Sequence, residues 1–421
     1  MILQALVVLG AVALLAIAPR PFPTSLLRWD AVWYDLIRAH DYSYTPGVMS
    51  STAFFPLFPL LWRFTHLGNI GISLLNLGLT GSTLYYLQRR LRLRWAVVLL
   101  FAAFPSSLFL YLPYPEALFF VFSSLIALAL SVPRPHSAAL APALFGGALV
   151  RVTAFCYLPA LAVVEAVGWL EAPHTWGRRA WRLFRYGLIT GAGLFSVVVY
   201  QWYQTGVWFA FNKSEAVWDH HFRLPQPPFN SSQDNDGALW IDGLALLFGL
   251  AALLWVGQAL VLVARRKRPA PNQLLLFSAT YVAATMLVTV FNAPLDRGHS
   301  SLMSLHRYVF CNPFFLVLLE RLVPHQALSW RQVLATLAVV AGITALLGMF
   351  STRPFDIEWP TSRIPLLWGP VPGFVYASAV LAYCFLWLKT DARWGRAMVY
   401  LSSFGLQLFF LYTFAVGHWV G

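Results

Sequence analysis

Apolar runs of roughly 17–25 residues recur from one end of this sequence to the other, each long enough to cross about 30 Å of hydrocarbon as a helix. Inside lipid the backbone must satisfy its own hydrogen bonds, so such runs are helices. Their unbroken hydrophobicity, lacking two-residue alternation, excludes a β-barrel reading. Composition agrees: 59% of residues are hydrophobic, 11% are charged, and the mean hydropathy is +0.65. So few charges cannot cover the surface of a water-soluble chain of 421 residues. The spacing predicts an all-α polytopic membrane protein, one domain over 1–421. About thirteen helices are expected, at 2–19, 70–88, 95–112, 116–132, 138–152, 154–170, 186–204, 239–263, 272–291, 308–323, 332–350, 371–388 and 397–416. The first run ends in Ala-Ile-Ala like a signal peptide, but no basic residue precedes it, and it is read as a retained helix.

The formal charge of +13 does not point to nucleic acid, because the basic residues fall in short clusters between apolar runs. These are Arg89, Arg90, Arg92 and Arg94; Arg134; Arg178, Arg179, Arg182 and Arg185; Arg265 to Arg268; Arg321 and Arg331; and Lys389, Arg393 and Arg396. They hold most of the chain's 29 lysines and arginines and mark the cytoplasmic face. The long connections 20–69, 205–238, 292–307 and 351–370 then lie outside, in the pattern of a multi-pass protein of a bacterial-type inner or plasma membrane. They carry most of the acids, histidines and interfacial aromatics, so chemistry is expected on the extracytoplasmic side. Cys156, Cys311 and Cys384 sit in apolar runs and read as core residues rather than a disulfide or zinc framework.

Two stretches of the first loop stand out. From Arg28-Trp29-Asp30 through Trp33, Tyr34 and His40 the pattern is amphipathic. Trp29, Trp33, Leu36, Ile37 and His40 share one helical face, and Asp30, Tyr34, Arg38 and Asp41 share another. An interfacial helix is expected there, with tryptophans at headgroup depth and Asp30 either capping it or placed for chemistry at the lipid surface. Thr52 to Leu60, with two Pro among five aromatic or leucine neighbours, reads as the segment returning to the membrane.

Together, Arg-Trp-Asp-x-x-Trp-Tyr, Tyr42 and Ala53-Phe54-Phe55-Pro56-Leu57-Phe58-Pro59 resemble the bacterial relatives of PIG-V. PIG-V is the second mannosyltransferase of glycosylphosphatidylinositol-anchor assembly. The likeness continues at Tyr114-Pro115-Glu116-Ala117-Leu118-Phe119, at Gly147 to Arg151, and at Gln204-Thr205-Gly206 with Phe209, Phe211 and Trp218. Beyond residue 220 it is limited to His306-Arg307-Tyr308 and Asn312-Pro313-Phe314. The resemblance implies the GT-C glycosyltransferase fold and a polyprenyl-phosphate sugar donor. It implies a lipid or glycan acceptor, and an acidic base in the first outer loop, the place of Asp30. Arg151, Arg307 and Arg28 are then expected at the donor phosphate, and Glu116, His306, Tyr34 and Trp33 at sugar or acceptor. For Glu116 and Arg151 a buried ion pair is the alternative expectation. For Arg307 it is an end-of-helix side chain reaching for the interface.

No bound metal is required, because cationic side chains can stabilise a departing phosphate. Asp234-Asn235-Asp236 reads as a polar turn and Asp219-His220-His221 as a weak ligand set; a divalent ion is not predicted at either. Asn212-Lys213-Ser214 and Asn230-Ser231-Ser232 match glycosylation sequons. Two rival functions remain at this stage. One is a transporter or flippase of a lipid-linked solute; the other is the same enzyme class acting on a different polyprenyl-phosphate sugar.

Overall fold

A computed structural model of the protein describes residues 26–132, 137–227, 229, 236–267, 271–296, 298–322, 356–359, 362–365 and 393–420, with isolated positions between 331 and 338. The expected helices at 2–19 and 371–388, and 332–350 but for isolated positions, lie outside the described residues, as do Arg134, Arg268 and Cys384. What is described is mostly helical. Among these residues four helical stretches are long and apolar enough to cross a membrane: Val152–Glu171, Pro173–Thr205, Ile241–Ala264 and Gln273–Phe291. Shorter apolar helices run over Glu116–Leu130, Leu140–Val150 and Ser403–Ala415. The architecture is that of an all-α membrane protein.

The helices pack as a bundle. Asp236–Ala264 lies along Gln273–Phe291, and Ser137–Val150 is flanked by Glu116–Leu130 and Trp176–Thr205. Close helix contact in lipid favours small residues, and Gly193 is a clear instance. A Cβ there would meet the Ala148 Cβ at 2.7 Å and the Phe145 carbonyl oxygen at 2.8 Å. The centre is an aromatic stack. Tyr157 lies flat on Phe119 (ring centroids 5.7 Å) and on Tyr281 (5.4 Å), with Phe314 edge-on.

Three expected elements are corrected. The run 95–112 is a helix only over Trp95–Ala103; Pro105 then opens a 3₁₀ segment, Pro105–Leu110. A proline nitrogen cannot donate into a continuing helix. The run 308–323 is two helices, Leu305–Phe310 and Pro313–Leu322. Asn312 joins them: its Nδ2 donates to the Tyr308 and Val309 carbonyls, and its Oδ1 accepts from the Phe314 and Phe315 amides. Pro313 takes the first helical position, where its missing N–H costs nothing. The third correction concerns the first loop. Its helix, Asp30–His40, buries Ala31, Tyr34 and Ile37, while Leu36 and His40 are exposed. Tyr34 turns inward because Phe54, Phe58 and Tyr114 surround it edge-on, at 5.2, 5.4 and 6.4 Å. The helix therefore docks on its neighbour Leu57–Thr65 through Ala31, Tyr34 and Ile37, and leaves Leu36 and His40 exposed. Arg63 holds its C-terminus, donating to the Ile37 and Arg38 carbonyls and to Asp41.

The basic clusters gather at one end of the bundle. Arg89 and Arg90 close the helix Asn69–Leu91, Arg94 pairs with Glu320 at 2.6 Å, and Arg179 and Arg182 pair with Glu165. Asp242 accepts the His306 amide at the other end of a helix whose far end leads into Arg265. Those 23 residues span about 35 Å at roughly 1.5 Å each. The first loop and the acids of the site occupy that other end.

Candidate functional site

Helix ends build the site. Asn76, in the helix Asn69–Leu91, donates to the carbonyls of Leu112 and Tyr114 and so fixes the turn that starts the helix at Glu116. Arg151 follows directly on the helix Ser137–Val150. Arg307 lies in the short helix Leu305–Phe310, and Asp30 is the first residue of its own helix. Four segments distant in sequence thus deliver two acids and two guanidinium groups to one place.

They form a continuous chain of ion pairs. Arg151 Nη1 donates to Glu116 Oε1 at 2.5 Å; Arg307 Nε stands 2.9 Å from the same oxygen, and its Nη2 is 2.8 Å from Asp30 Oδ2. Glu116 and Arg307 are buried, their side chains 1% and 4% exposed, whereas Asp30 at 18% is the accessible end. Two positive and two negative groups balance, as deep charges must. Aromatic faces supply the rest of the cage. The Arg307 guanidinium lies 5.3 Å from the rings of Phe109, Tyr114 and Tyr308, and that of Arg151 lies 4.6 Å from Tyr308. Arg307 Nη1 and Glu116 Oε2 are buried without a hydrogen-bond partner among the described residues.

Asp30, Arg151 and Arg307 line a half-open cavity of about 140 Å³, together with Tyr34, Phe54, Phe55, Phe211, Glu215, Trp218, His220, Tyr308 and Trp419. That is small beside the roughly 300–1,000 Å³ that encloses a drug-sized ligand, and suits one compact polar group against aromatic walls. Its far wall is tied to the long helix Trp176–Thr205. Gln201 donates to the Thr52 carbonyl and accepts from the Phe211 amide; Gln204 accepts from the Tyr42 amide. The buried hydroxyls of Thr52 and Ser214 meet at 2.6 Å. Three helices bordering the cavity each begin after a non-glycine residue at positive φ: Trp29 (54°), Phe209 (54°) and Ser304 (69°). Such conformations cost on the order of 1–3 kcal/mol each and persist where the surroundings over-determine them.

The expected site residues therefore divide. Asp30, Arg151, Arg307 and Tyr34 line the cavity, and Glu116 sits just behind it between the two arginines. The Asp30 carboxylate turns to Arg307 rather than capping its helix, whose capping position, Trp29, makes no side-chain cap. Trp33 stacks on Phe54 at 5.9 Å, one layer behind the wall. His306 is buried away from the cavity: Nδ1 meets the Ser106 hydroxyl, and Nε2 donates to the Val420 carbonyl. Arg28 is not on the cavity wall; its guanidinium lies near Gly417 and its carbonyl accepts from the Tyr114 hydroxyl. Asp219 is taken up by Arg223 at 2.7 Å, a hydrogen bond that holds its carboxyl below the usual range. Among the described residues no three His, Cys, Asp or Glu groups converge as a metal-ligand set. Asp234-Asn235 and Asn230 lie outside them.

Sequence reasoning missed Asn76, Asp242, Gln201 and Glu215 as positioning residues. The signal for the first three was present, since an isolated polar side chain in an apolar helix demands a partner. Trp419, close to the chain's end, carried none. Compared with known proteins, the chain matches no family model and no curated protein.

Proposed function

We propose that the chain is a membrane glycosyltransferase of the GT-C type, with its site on the extracytoplasmic side. In this reading it is an inverting mannosyltransferase drawing on a polyprenyl-phosphate mannose. The observation that carries the proposal is the ion-pair chain of Asp30, Arg307, Glu116 and Arg151 against an aromatic-walled cavity. The segments that resemble PIG-V relatives supply every member of it. The sidedness rests on the basic clusters at the opposite helix ends.

The chemistry follows from the placement. The acceptor hydroxyl approaches Asp30, the accessible acid, and gives its proton to the carboxylate as its oxygen attacks the anomeric carbon. The bond from that carbon to the phosphate oxygen breaks with its electrons, and the polyprenyl phosphate leaves. Attack opposite the phosphate inverts configuration. Arg307 and Arg151 supply the positive field for the departing phosphate, and their planar forks suit its oxygens. Glu116 holds both guanidinium groups in place before the donor arrives. The cavity takes the sugar ring, and the prenyl chain lies outside it in lipid.

Purified protein incubated with radiolabelled polyprenyl-phosphate mannose, glucose, galactose or arabinose and a host lipid extract tests this. Mannose is expected to pass into the lipid or glycan fraction. Asp30→Asn is expected to lower the rate about 10²–10⁴-fold, the share of a general base, while extracting and migrating like wild type. Transfer from another of these donors would keep the enzyme class and replace the sugar. No transfer from any donor, with solute flux in reconstituted vesicles, would replace the proposal with a transporter.

A further inference from the structure

The cavity has a second polar wall that the ion-pair chain does not use. Glu215, in the last turn of the helix Ala210–Val217, accepts from His220 Nδ1 at 2.6 Å, and both residues line the cavity that Asp30 lines. The pair is held firmly. The His220 amide donates to the Glu215 carbonyl at 3.0 Å, and the neighbouring Ser214 is tied to Thr52. Neither residue pairs with Arg151 or Arg307.

A carboxylate only accepts hydrogen bonds, so the His220 nitrogen facing Glu215 carries the proton. In the neutral ring the other nitrogen, Nε2, is then an acceptor, and none of the described residues pairs with it. Beside the dyad stands Trp218, whose buried indole N–H has no hydrogen-bond partner among the described residues and whose ring also forms the wall. An acceptor nitrogen, an unpartnered indole N–H and the aromatic side chains of Trp218, Phe54, Phe55 and Phe211 lining a small cavity match a hexose. Its hydroxyls need both kinds of polar partner, and its C–H faces need rings.

We infer that the Glu215–His220 dyad is a hexose-binding wall, with His220 Nε2 accepting from a ring hydroxyl and Glu215 fixing the imidazole for it. The inference rests on the transferase reading, which makes the ring either the donor sugar or that of the acceptor. His220 is a binding residue and Glu215 a positioning residue; neither takes part in breaking the glycosyl bond.

The test is site-resolved carbethoxylation of His220 by diethyl pyrocarbonate, read by peptide mass spectrometry on the full chain in lipid nanodiscs. Three probes are compared: a short-chain prenyl-phosphate mannose, the same prenyl phosphate without sugar, and octyl α-mannoside. Protection by the prenyl-phosphate mannose assigns the wall to the donor ring. Protection by octyl mannoside alone assigns it to the acceptor ring. In either case sugar-free prenyl phosphate should leave His220 reactive. Glu215→Gln and His220→Gln should weaken binding of the protecting sugar probe about tenfold, the worth of one hydrogen bond to a fixed polar group. They should leave binding of prenyl phosphate unchanged. If prenyl-phosphate mannose binds and neither sugar probe protects His220, the dyad inference is overturned and the transferase reading stands. Equal protection by sugar-free prenyl phosphate overturns it as well. If neither sugar probe binds at all, both readings fall.

Discussion

Glu116 is the residue whose removal the structure answers for most directly. Its single oxygen Oε1 faces Arg151 at 2.5 Å and Arg307 at 2.9 Å, and its side chain is 1% exposed. Glu116→Gln keeps the shape and an acceptor oxygen but deletes the charge. Two guanidinium groups, 10% and 4% exposed, would then share only Asp30 as counter-ion. Removing one partner of a buried pair costs about 3–5 kcal/mol, because the charge left behind has no compensation. At about 2–4 °C per kcal/mol for a large chain, the melting temperature should fall on the order of 10 °C. Asp30→Asn is the control. That residue is the accessible end of the chain, its amide oxygen can still accept from Arg307, and the loss should stay near 1 kcal/mol. Heating each variant in detergent, with the folded fraction read by size exclusion, gives both numbers. A double-mutant cycle of Glu116→Gln with Arg151→Gln should recover about 1–3 kcal/mol of coupling. Wild-type melting for Glu116→Gln, or strict additivity in the cycle, would refute Glu116 as the shared counter-ion.

Arg307→Lys and Arg151→Lys should each raise the donor KM despite the retained charge, since an ammonium cannot copy the planar fork; normal KM in both would leave the arginines structural. Gly193→Leu should cost about 1–3 kcal/mol by overpacking against Ala148 and Phe145, seen as a lower melting temperature, while the same change at the open Gly191 should be silent. Single cysteines at Asn212 and Lys267, in a background lacking native thiols, should react from outside and inside respectively with an impermeant reagent. Labelling of the Lys267 position in intact cells would put Asp30 on the wrong side of the membrane for the proposed chemistry.

Helical character and the grouping of charges were legible because both are local: apolar length and basic clusters need no partner to be read. The same holds for Asp30, Glu116, Arg151 and Arg307, each conspicuous as a charge beside an apolar run. Their joining through Glu116 was only half legible. The Glu116–Arg151 pair was an open alternative, but Arg307 as the third member comes from a short separate helix, Leu305–Phe310, that the apolar run did not reveal. His306 shows the opposite limit. A histidine next to that arginine looked equally available, yet Ser106 and Val420 occupy both of its nitrogens. Hydrophobic pattern misplaced Tyr34 in the first-loop helix for a related reason. Periodicity counts which residues are apolar, and Tyr34 was drawn inward by three aromatic rings that belong to other segments.

The ion-pair chain also bears on how the protein is made. A chain synthesised from its N-terminus meets the bilayer in order, and a lone charge at depth is costly to insert. Glu116 and Arg151 lie 35 residues apart, on either side of one helical hairpin, so the early part of the bundle can enter lipid already neutral. Asp30 and Arg307 are separated by 277 positions. The acid therefore waits at the surface, where water can keep it, until the arginine that completes it has been translated. Assembly of the ion-pair chain is thus a late event, and a ribosome stalled before residue 307 leaves a membrane-inserted bundle whose Asp30 carboxylate still faces solvent.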